Sequence, residues 1–532
     1  MSQIFDKIQL KSPINNVFDL SHDHKTTFNM GELIPFHVQE VLPGDRFKIH
    51  SQNLLRFSPL VSPALARIKA FTTYFFVPNR ILWDGWEEFI TGGQDPSNTP
   101  AVPLLYDPVA VDQAITVQKG DLLDYMGLPK GIPLKSTFGT PVSALPMAAY
   151  QRIWYDYYRD QNLQDIAWVP LQNGEFNATL NYGVLRKRAW QRDYLTSCLP
   201  FAQKGDAVTI PIAGDITGQG IVERDPTALG PLLQHSLEAG TPLSNGVLLN
   251  KTGDILEING VKASIDPNGT LFVDGDSFEL SSISTTINDL RTANALQRWL
   301  EKNARSGSRY IESLKAHFHT SPTDARLQRP EMIGSSIQSV IISEILQTSE
   351  TADTPQGNMA GHGISASKNG YFNYTAQEHG IIIGLISVVP DASYAQGLSR
   401  MFTRLTRLDY AFPDFANLGE QAVLKREVVA KTTEAFNTAT FGYMPRYAEY
   451  KFNNSLTTGE FAPDQSLEYW TLTRKFDTSL AEPLELNEDF IVADPSTRIF
   501  AVTDPNEHKI MAHIYSDIKC RRPLPKYGTP LL

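Results

Sequence analysis

Between Phe36 and Val77 the chain alternates apolar and polar residues in three successive runs. Phe36 to Leu42 leads into the turn triplet Pro43-Gly44-Asp45, and Arg46 to Phe57 continues with Phe47, Ile49, Leu54 and Leu55 spaced for one face of a strand. Ile68 to Val77 differs. Ile68, Ala70, Thr72, Tyr74 and Phe76 fall on one side and Phe71, Thr73, Phe75 and Val77 on the other. A strand apolar on both faces is covered on both, by a second sheet or by a neighbouring subunit. The same patterning predicts strands at Ile337 to Leu346, Gly380 to Val389, Arg446 to Lys451, Glu468 to Phe476, Arg498 to Val502 and His508 to Lys519. Residues 1–35 hold no sustained period and read as an arm.

Helical spacing is densest from Thr286 to Gly334. Thr286 and Asp289 form a cap, and Ile287, Leu290, Ala293, Leu296 and Leu300 follow at intervals of three and four, which places Leu296 and Leu300 in a core. Glu301 and Arg305 are an i,i+4 pair, and Ser306-Gly307-Ser308 ends the helix. A second helix uses Tyr310, Ile311, Leu314 and Phe318 up to Pro322, and Asp324 to Pro330 reads as extended. Shorter helices are expected at Trp83 to Ile90, Pro146 to Arg159 and Arg186 to Tyr194. A Pro/Gly-rich excursion spans Gly92 to Pro146.

The stretch 205–284 changes character. Asn245-Gly246, Asn259-Gly260, Asn268-Gly269 and Asp274-Gly275 alternate with short apolar runs, the signature of tight hairpins, so a β-meander is inserted here. Its charge is also distinct, with eleven acids against three bases between Gly205 and Glu279. Many short strands with long connections suit a mainly β fold, a single eight-stranded jelly roll. Its core would come from 36–204 and 285–532, with the meander and a few helices as insertions.

Composition fits that picture. Hydrophobic residues at 42% allow a sizeable core, and 34 prolines and 35 glycines favour turns. No basic, apolar leader opens the sequence, and the apolar run Ile381 to Pro390 is too short to span a membrane, so neither secretion nor membrane insertion is expected. The two cysteines, Cys198 and Cys520, provide no disulfide framework and no cysteine zinc site, and suit a reducing cytoplasm.

Several ordered motifs carry a family resemblance. They include Phe18-Asp19-Leu20-Ser21-His22-Asp23-His24, Gln39-Glu40-Val41-Leu42-Pro43-Gly44-Asp45, Phe75-Phe76-Val77-Pro78-Asn79-Arg80 with Trp83 and Trp86, and Asn288-Asp289-Leu290-Arg291. Further on come Asp324-Ala325-Arg326-Leu327-Gln328-Arg329-Pro330-Glu331, Glu378-His379-Gly380, Tyr394-Ala395-Gln396-Gly397-Leu398, Leu418-Gly419-Glu420-Gln421-Ala422-Val423, Phe441-Gly442-Tyr443 and Cys520-Arg521-Arg522-Pro523-Leu524-Pro525. Together, in this order over most of the chain, they resemble the major capsid protein of the microviruses, the small single-stranded-DNA phages, in their gokushovirus-like branch. The resemblance implies a jelly roll that forms pentamers and a T=1 shell of sixty copies around circular single-stranded DNA, assembled in the bacterial cytoplasm. It also implies an internal scaffolding protein, a small basic DNA-binding protein and a host receptor. In that setting the acidic insertion is an outward threefold protrusion, with Asp254, Glu257, Asp266, Asp274 and Asp276 as attachment candidates.

The net charge of -11 makes the chain as a whole a poor polyanion binder. Coding this chain alone takes about 1,600 nucleotides, roughly 27 phosphates per subunit in a sixty-copy shell, so neutralisation falls to counterions or a separate basic partner. Two basic groups beside aromatics are candidate DNA contacts: Arg186, Lys187, Arg188 and Arg192 near Trp190 and Tyr194, and Lys519, Arg521 and Arg522 near Tyr515. Intersubunit salt bridges are the competing use of both. His22-Asp23-His24 and His317-Phe318-His319 lack a third ligand at diagnostic spacing, and no metal, cofactor or catalytic set is expected. Glu87-Glu88 reads as a solvated helix face, and Gly357 to Gly363 as a mobile or subunit-contacting loop. A secreted carbohydrate-active or lectin-like β-sandwich is the alternative reading, and it calls for a leader and a carboxylate pair.

Overall fold

The computed structural model describes residues 15–93, 99–106, 110, 114–134, 141–177, 182–208, 287–307, 309–346, 359–368, 370–479 and 484–527, and short strand segments between 209 and 286. The chain divides into two units, residues 1–204 with 302–532, and residues 205–301. In chain order the elements used below are β1 (Asn16–Asp19), β2 (His22–Phe28), β3 (Ile34–Val41), β4 (Arg46–Phe57), β5 (Ile68–Pro78), α1 (Trp86–Thr91) and α2 (Leu145–Ile153). The insertion holds β6 (Asn250–Thr252), β7 (Ile255–Ile258), β8 (Val261–Ile265) and β9 (Leu271–Val273), followed by α3 (Ile287–Ser306) and α4 (Tyr310–Phe318). Then come β10 (Glu331–Leu346), β11 (Met359–Lys368), β12 (Phe372–Thr375), β13 (Gly380–Pro390), β14 (Glu420–Leu424), β15 (Thr440–Pro445) and β16 (Ile510–Arg522).

The larger unit is built on one curled antiparallel sheet. β1 and β2 both pair with β16, from Asn16↔Arg522 to Phe28↔Ile510, and so act as one interrupted strand. β11 and β12 do the same along β4. Counted this way, eight strand paths run β1/β2, β16, β4, β11/β12, β10, β5, β13, β3. β10 turns the corner: Glu331 to Val340 pair with β5, and Ile341 to Leu346 pair with β11. Curling brings the two halves face to face over one core. Phe47, Ile49, Leu55, Ile514 and Ile518 come from one side, and Phe36, Ile68, Tyr74, Phe76 and Ile386 from the other. The fold is the expected mainly β jelly roll.

β5 explains the two-faced pattern. Ile68, Ala70, Tyr74 and Phe76 enter the inner core. Phe75 and Val77 pack outward against Leu145, Met147, Tyr150 and Trp154 of α2 and the π-turn Trp154–Tyr158 that continues it. The outer cover is therefore the chain's own helix. β13, buried at every position, lies beside β5 along its whole length. A third cluster lies under the β14–β15 hairpin and holds Val423, Phe441, Trp190 and Tyr194. Gly31 is forced by geometry. Its φ is +85°, and a Cβ would sit 2.0 Å from the Ala493 carbonyl oxygen where the β2–β3 turn meets the 186–193 segment.

Several expectations fail for identifiable reasons. Residues 16–28 of the supposed arm are sheet strands, hidden from a hydrophobic scan because the inward positions of β2 are His22, His24 and Thr26. Arg186 to Tyr194 is not a helix: residues 186–193 are extended, with their backbone bonded to Leu33, Gly31, Ile491 and Ala493, and Tyr194 begins a turn. Glu468 to Phe476 is not a strand, because Arg498 donates to the carbonyls of Glu468, Thr471 and Thr473 and replaces a neighbouring strand. Arg498 to Val502, likewise, forms a turn. Arg446 to Lys451 turns at Tyr447, φ +61°, whose N–H is taken by the Gln421 side chain. Asp324 to Pro330 is a turn, with Gln328 at φ +56°. Met359 to Gly363 is a strand paired with β10, its glycine at 361 allowing contact with the Ser62 backbone.

The helical stretch also departs from expectation. Leu296 is 45% exposed, Leu300 is only half-buried, and Ala304 is the one buried residue of α3. Tyr310 and Phe318 of α4 are likewise exposed. The apolar line is real, but it is not core of this subunit. Arg305 pairs with Glu420 instead of Glu301, which accepts from Gln297. Gly307 ends α3 at φ +100°, as its sequence requires. In the smaller unit, β6 to β9 form a consecutive antiparallel meander, with β7 and β8 on either side of Asn259-Gly260. Thr286, Asn245-Gly246 and Asp274-Gly275 lie outside the described residues.

Candidate nucleic-acid interface and assembly surfaces

The first basic group does not act as a unit. Arg186 Nε donates to Gln151 Oε1 at 2.8 Å with its guanidinium 4.4 Å from the Trp154 ring centre, and Lys187 Nζ pairs with Asp494 at 2.7 Å. Both are committed to structure. Arg188 lies 3.8 Å from the centre of the Phe71 ring, and burial pushes its pKa down. Arg192 is exposed and makes no hydrogen bond or ion pair among the described residues. Arg188 and Arg192 line one cavity together with Arg159 and Arg309, which sequence spacing had no means of joining to them.

The second group divides as well. Arg522 is taken up by Asp45, whereas Lys519 and Arg521 point outward from β16. The register sets Lys519 opposite Lys48 and Arg521 opposite Arg46. Lys48 and Arg46 are exposed positions of β4. Directly opposed like charges destabilise a strand pair, and the register gathers four cations into one such patch. Among the described residues only Lys519 has acidic relief, from Asp19 and Asp517. Exposed Tyr371 adds an aromatic surface, its ring centre 4.2 Å from Lys48 Nζ. Arg46 and Lys48 were missed because only register, not sequence proximity, joins them to Lys519 and Arg521.

Of the acidic candidates, Glu257 lies on β7, opposite Lys262 and Asn250. Asp254, Asp266, Asp274 and Asp276 lie outside the described residues. The histidine pairs are structural. His22 stacks on His37, Asp23 faces His513 at 2.7 Å, and His317 meets Asn303 at 2.6 Å. Among the described residues no three potential metal ligands gather. Glu87 is exposed, with Arg80 3.9 Å away.

Among the described residues, exposed apolar side chains crowd residues 398–418. Three single turns there, Arg400–Thr403, Arg407–Asp409 and Pro413–Phe415, present Met401, Phe402, Leu405, Leu408 and Leu418 to solvent. Leu405 is 89% exposed. The segment is nevertheless tied down. Arg400 pairs with buried Glu427 at 2.9 Å, Arg404 pairs with Glu449 at 3.2 Å and stacks on Tyr450, and Asp409 accepts the N–H groups of Leu405 and Thr406. A loop fixed by buried arginines while holding leucine and phenylalanine in water is a surface for protein contact.

A jelly roll that holds apolar side chains in water on an anchored segment fits a structural shell protein. The comparisons agree: the chain belongs to the family described as Capsid protein (F protein), which it matches over residues 8–532. It is 34% identical to capsid protein VP1 of Chlamydia phage 1, with 100% of this chain and 98% of the relative covered. Identity is also 34% to capsid protein VP1 of Bdellovibrio phage phiMH2K, covering 96% and 94%, and 30% to that of Spiroplasma virus 4, covering 95% and 94%. The microvirus resemblance is thereby established, and with it a structural role in a self-assembling virion capsid rather than an enzymatic one. No helix of the described residues is long and apolar enough to cross a membrane.

Proposed function

We propose that this capsid protein closes, through pentamers, into a T=1 icosahedral shell of sixty copies around a circular single-stranded DNA genome, in the cytoplasm of a bacterial host. The observation that carries assembly is the anchored apolar segment 398–418, reinforced by the exposed faces of α3 and α4. Closed symmetry buries such surfaces with none left over. The patch Arg46, Lys48, Lys519 and Arg521 supports contact with single-stranded DNA through phosphates, with Tyr371 available to a base. A net charge of -11 leaves most neutralisation to a small basic partner, and an internal scaffolding protein would guide closure. The acidic insertion, ill suited to lie against DNA, faces outward and meets a host receptor through Glu257 and its acidic neighbours Asp254, Asp266, Asp274 and Asp276.

Expression of the full chain followed by sizing and electron cryo-microscopy tests this reading. Pentamers, or closed particles of sixty copies, are expected. A discrete monomer at all concentrations, or a shell of another triangulation, overturns it.

A further inference from the structure

Beneath the extended segment 186–193 lies a cavity of about 370 Å³, at the small end of the range typical of ligand sites. It opens between the outer face of β5, the π-turn that ends α2, and the start of α4. Four arginines line it, Arg159, Arg188, Arg192 and Arg309, against a single carboxylate, Asp160. That carboxylate is occupied, since it accepts the backbone N–H groups of Asn162 and Leu163 at 2.9 and 3.2 Å. A smaller cavity of about 100 Å³ shares Arg159, Asp160, Arg192, Thr196 and Arg309 with it and extends it along the start of α4.

Three lining residues hold a side-chain nitrogen that has no acceptor among the described residues and no area open to the cavity. Arg159 is nine-tenths buried; its Nη1 donates to the Gln164 carbonyl at 2.7 Å, yet its Nε has no acceptor. Arg309 donates through Nη1 to Glu312 and through Nη2 to the Arg159 carbonyl, and its Nε is also without a partner. Gln191 accepts from Lys69 at 3.2 Å while its amide Nε2 donates to nothing. All three residues line the cavity. What lines the open space is four guanidinium side chains against one occupied carboxylate, which fits a compact, multiply accepting anion. The aromatic surfaces nearby are already used, as Arg188 covers Phe71 and approaches Tyr158 at 5.7 Å. That favours phosphate over a stacked base.

We infer that this cavity is a phosphodiester-binding site that seats one backbone phosphate of the single-stranded DNA, separate from the outward patch on β4 and β16. Arg192, exposed and unengaged among the described residues, guides the phosphate in, and the guanidinium groups of Arg188, Arg159 and Arg309 receive it. The inference rests on the reading of the chain as a shell around single-stranded DNA.

The test uses the full chain with a fluorescent ten-residue oligodeoxythymidylate, titrated at several salt concentrations, and inorganic phosphate as a second probe. Arg192→Gln and Arg188→Gln are each expected to weaken oligonucleotide binding about tenfold and to flatten the salt slope by about 0.7. Lys187→Gln, outside the cavity, is expected to bind within about twofold of the parent. Arg192→Gln removes no described contact and should melt with the parent, which keeps the test valid if Arg188→Gln unfolds. Parental affinity and slope in Arg192→Gln overturn the site, as does a parent that binds no oligonucleotide. If inorganic phosphate binds as tightly as the oligonucleotide, the site serves free phosphate and the DNA assignment is wrong. Nuclease protection in sized particles separates the two failures: protected DNA in Arg192→Gln particles with undiminished oligonucleotide binding sinks the site alone, whereas absence of particles from the parent sinks the shell.

Discussion

Asp45 and Arg522, 477 residues apart, form a fork that ties the C-terminal strand to the β3–β4 turn: Nε lies 3.2 and 3.0 Å from the two carboxylate oxygens, and Nη2 lies 2.8 Å from Oδ2. Asp45 is fully buried, and it also accepts the Leu42 N–H at 3.0 Å, which closes the turn. Removing one member of such a pair leaves the other charged and unpaired in the interior. Arg522→Ala is therefore expected to destabilise the subunit by about 3–5 kcal/mol in chemical denaturation. A loss below about 1 kcal/mol, with reduced DNA binding, would return Arg522 to the nucleic-acid contacts.

His37 makes stability depend on acid. It is buried on β3, with Nδ1 3.4 Å from His22 Nε2, and burial, with His22 and then His24 adding repulsion, pushes its pKa down to about 3. Burial likewise lowers His24. The unfolded chain, whose histidines titrate near 6.5, binds protons that the folded chain refuses, so stability is complete above that pH and falls as pH drops towards 3. One such group gives a slope of about 1.4 kcal/mol per pH unit in that window. Urea midpoints at pH 7 and pH 5 should show the decline, and His37→Phe should flatten it. An unchanged pH dependence in His37→Phe would place the acid sensitivity elsewhere.

The exposed segment 398–418 predicts a separation of folding from assembly. Leu405→Asp touches no core, so its effect on subunit unfolding should stay within about 0.5 kcal/mol. In a shell interface the same change buries an unpaired carboxylate, and particle yield should collapse. Parental particle yield from a Leu405→Asp chain would show that this surface stays in solvent after assembly.

How far the sequence discloses this molecule depends on which force shapes each part. β3, β4, β5, β13 and β16 are legible because alternating or continuous apolar residues set them, and burial follows the pattern. Segments shaped by side-chain hydrogen bonds escape the pattern, as where Arg498 serves three carbonyls of the 468–473 stretch. The α3 stripe shows the converse: Ile287, Leu290 and Leu296 have core spacing but are exposed, since periodicity reveals that a face is apolar and not whether the subunit covers it. Of the basic candidates, the residue types are legible and their partners are not. Arg522 and Lys187 find acids remote in sequence, while Arg159 and Arg309 reach the cavity only through folding.

The insertion offers the sharpest separation of fold from function. Residues 205–301 are a compact unit of their own, and among the described residues β6 to β9 pair with one another and with no strand of the curled sheet. Replacing Asp206 to Leu280 by a short Gly/Ser linker should leave a soluble subunit with the curled sheet intact and a β signal reduced only by the deleted strands, because loop-closure cost varies only slowly with length. Circular dichroism and sizing check this step. The eleven acids between Gly205 and Glu279 argue for an outward face, so particles bearing the linker should lose attachment to host cells while still protecting DNA. Fewer particles with normal attachment per particle would assign the insertion to shell contacts at an axis. Attachment equal to the parent's would reject its receptor role, and an insoluble chain would make it part of the core.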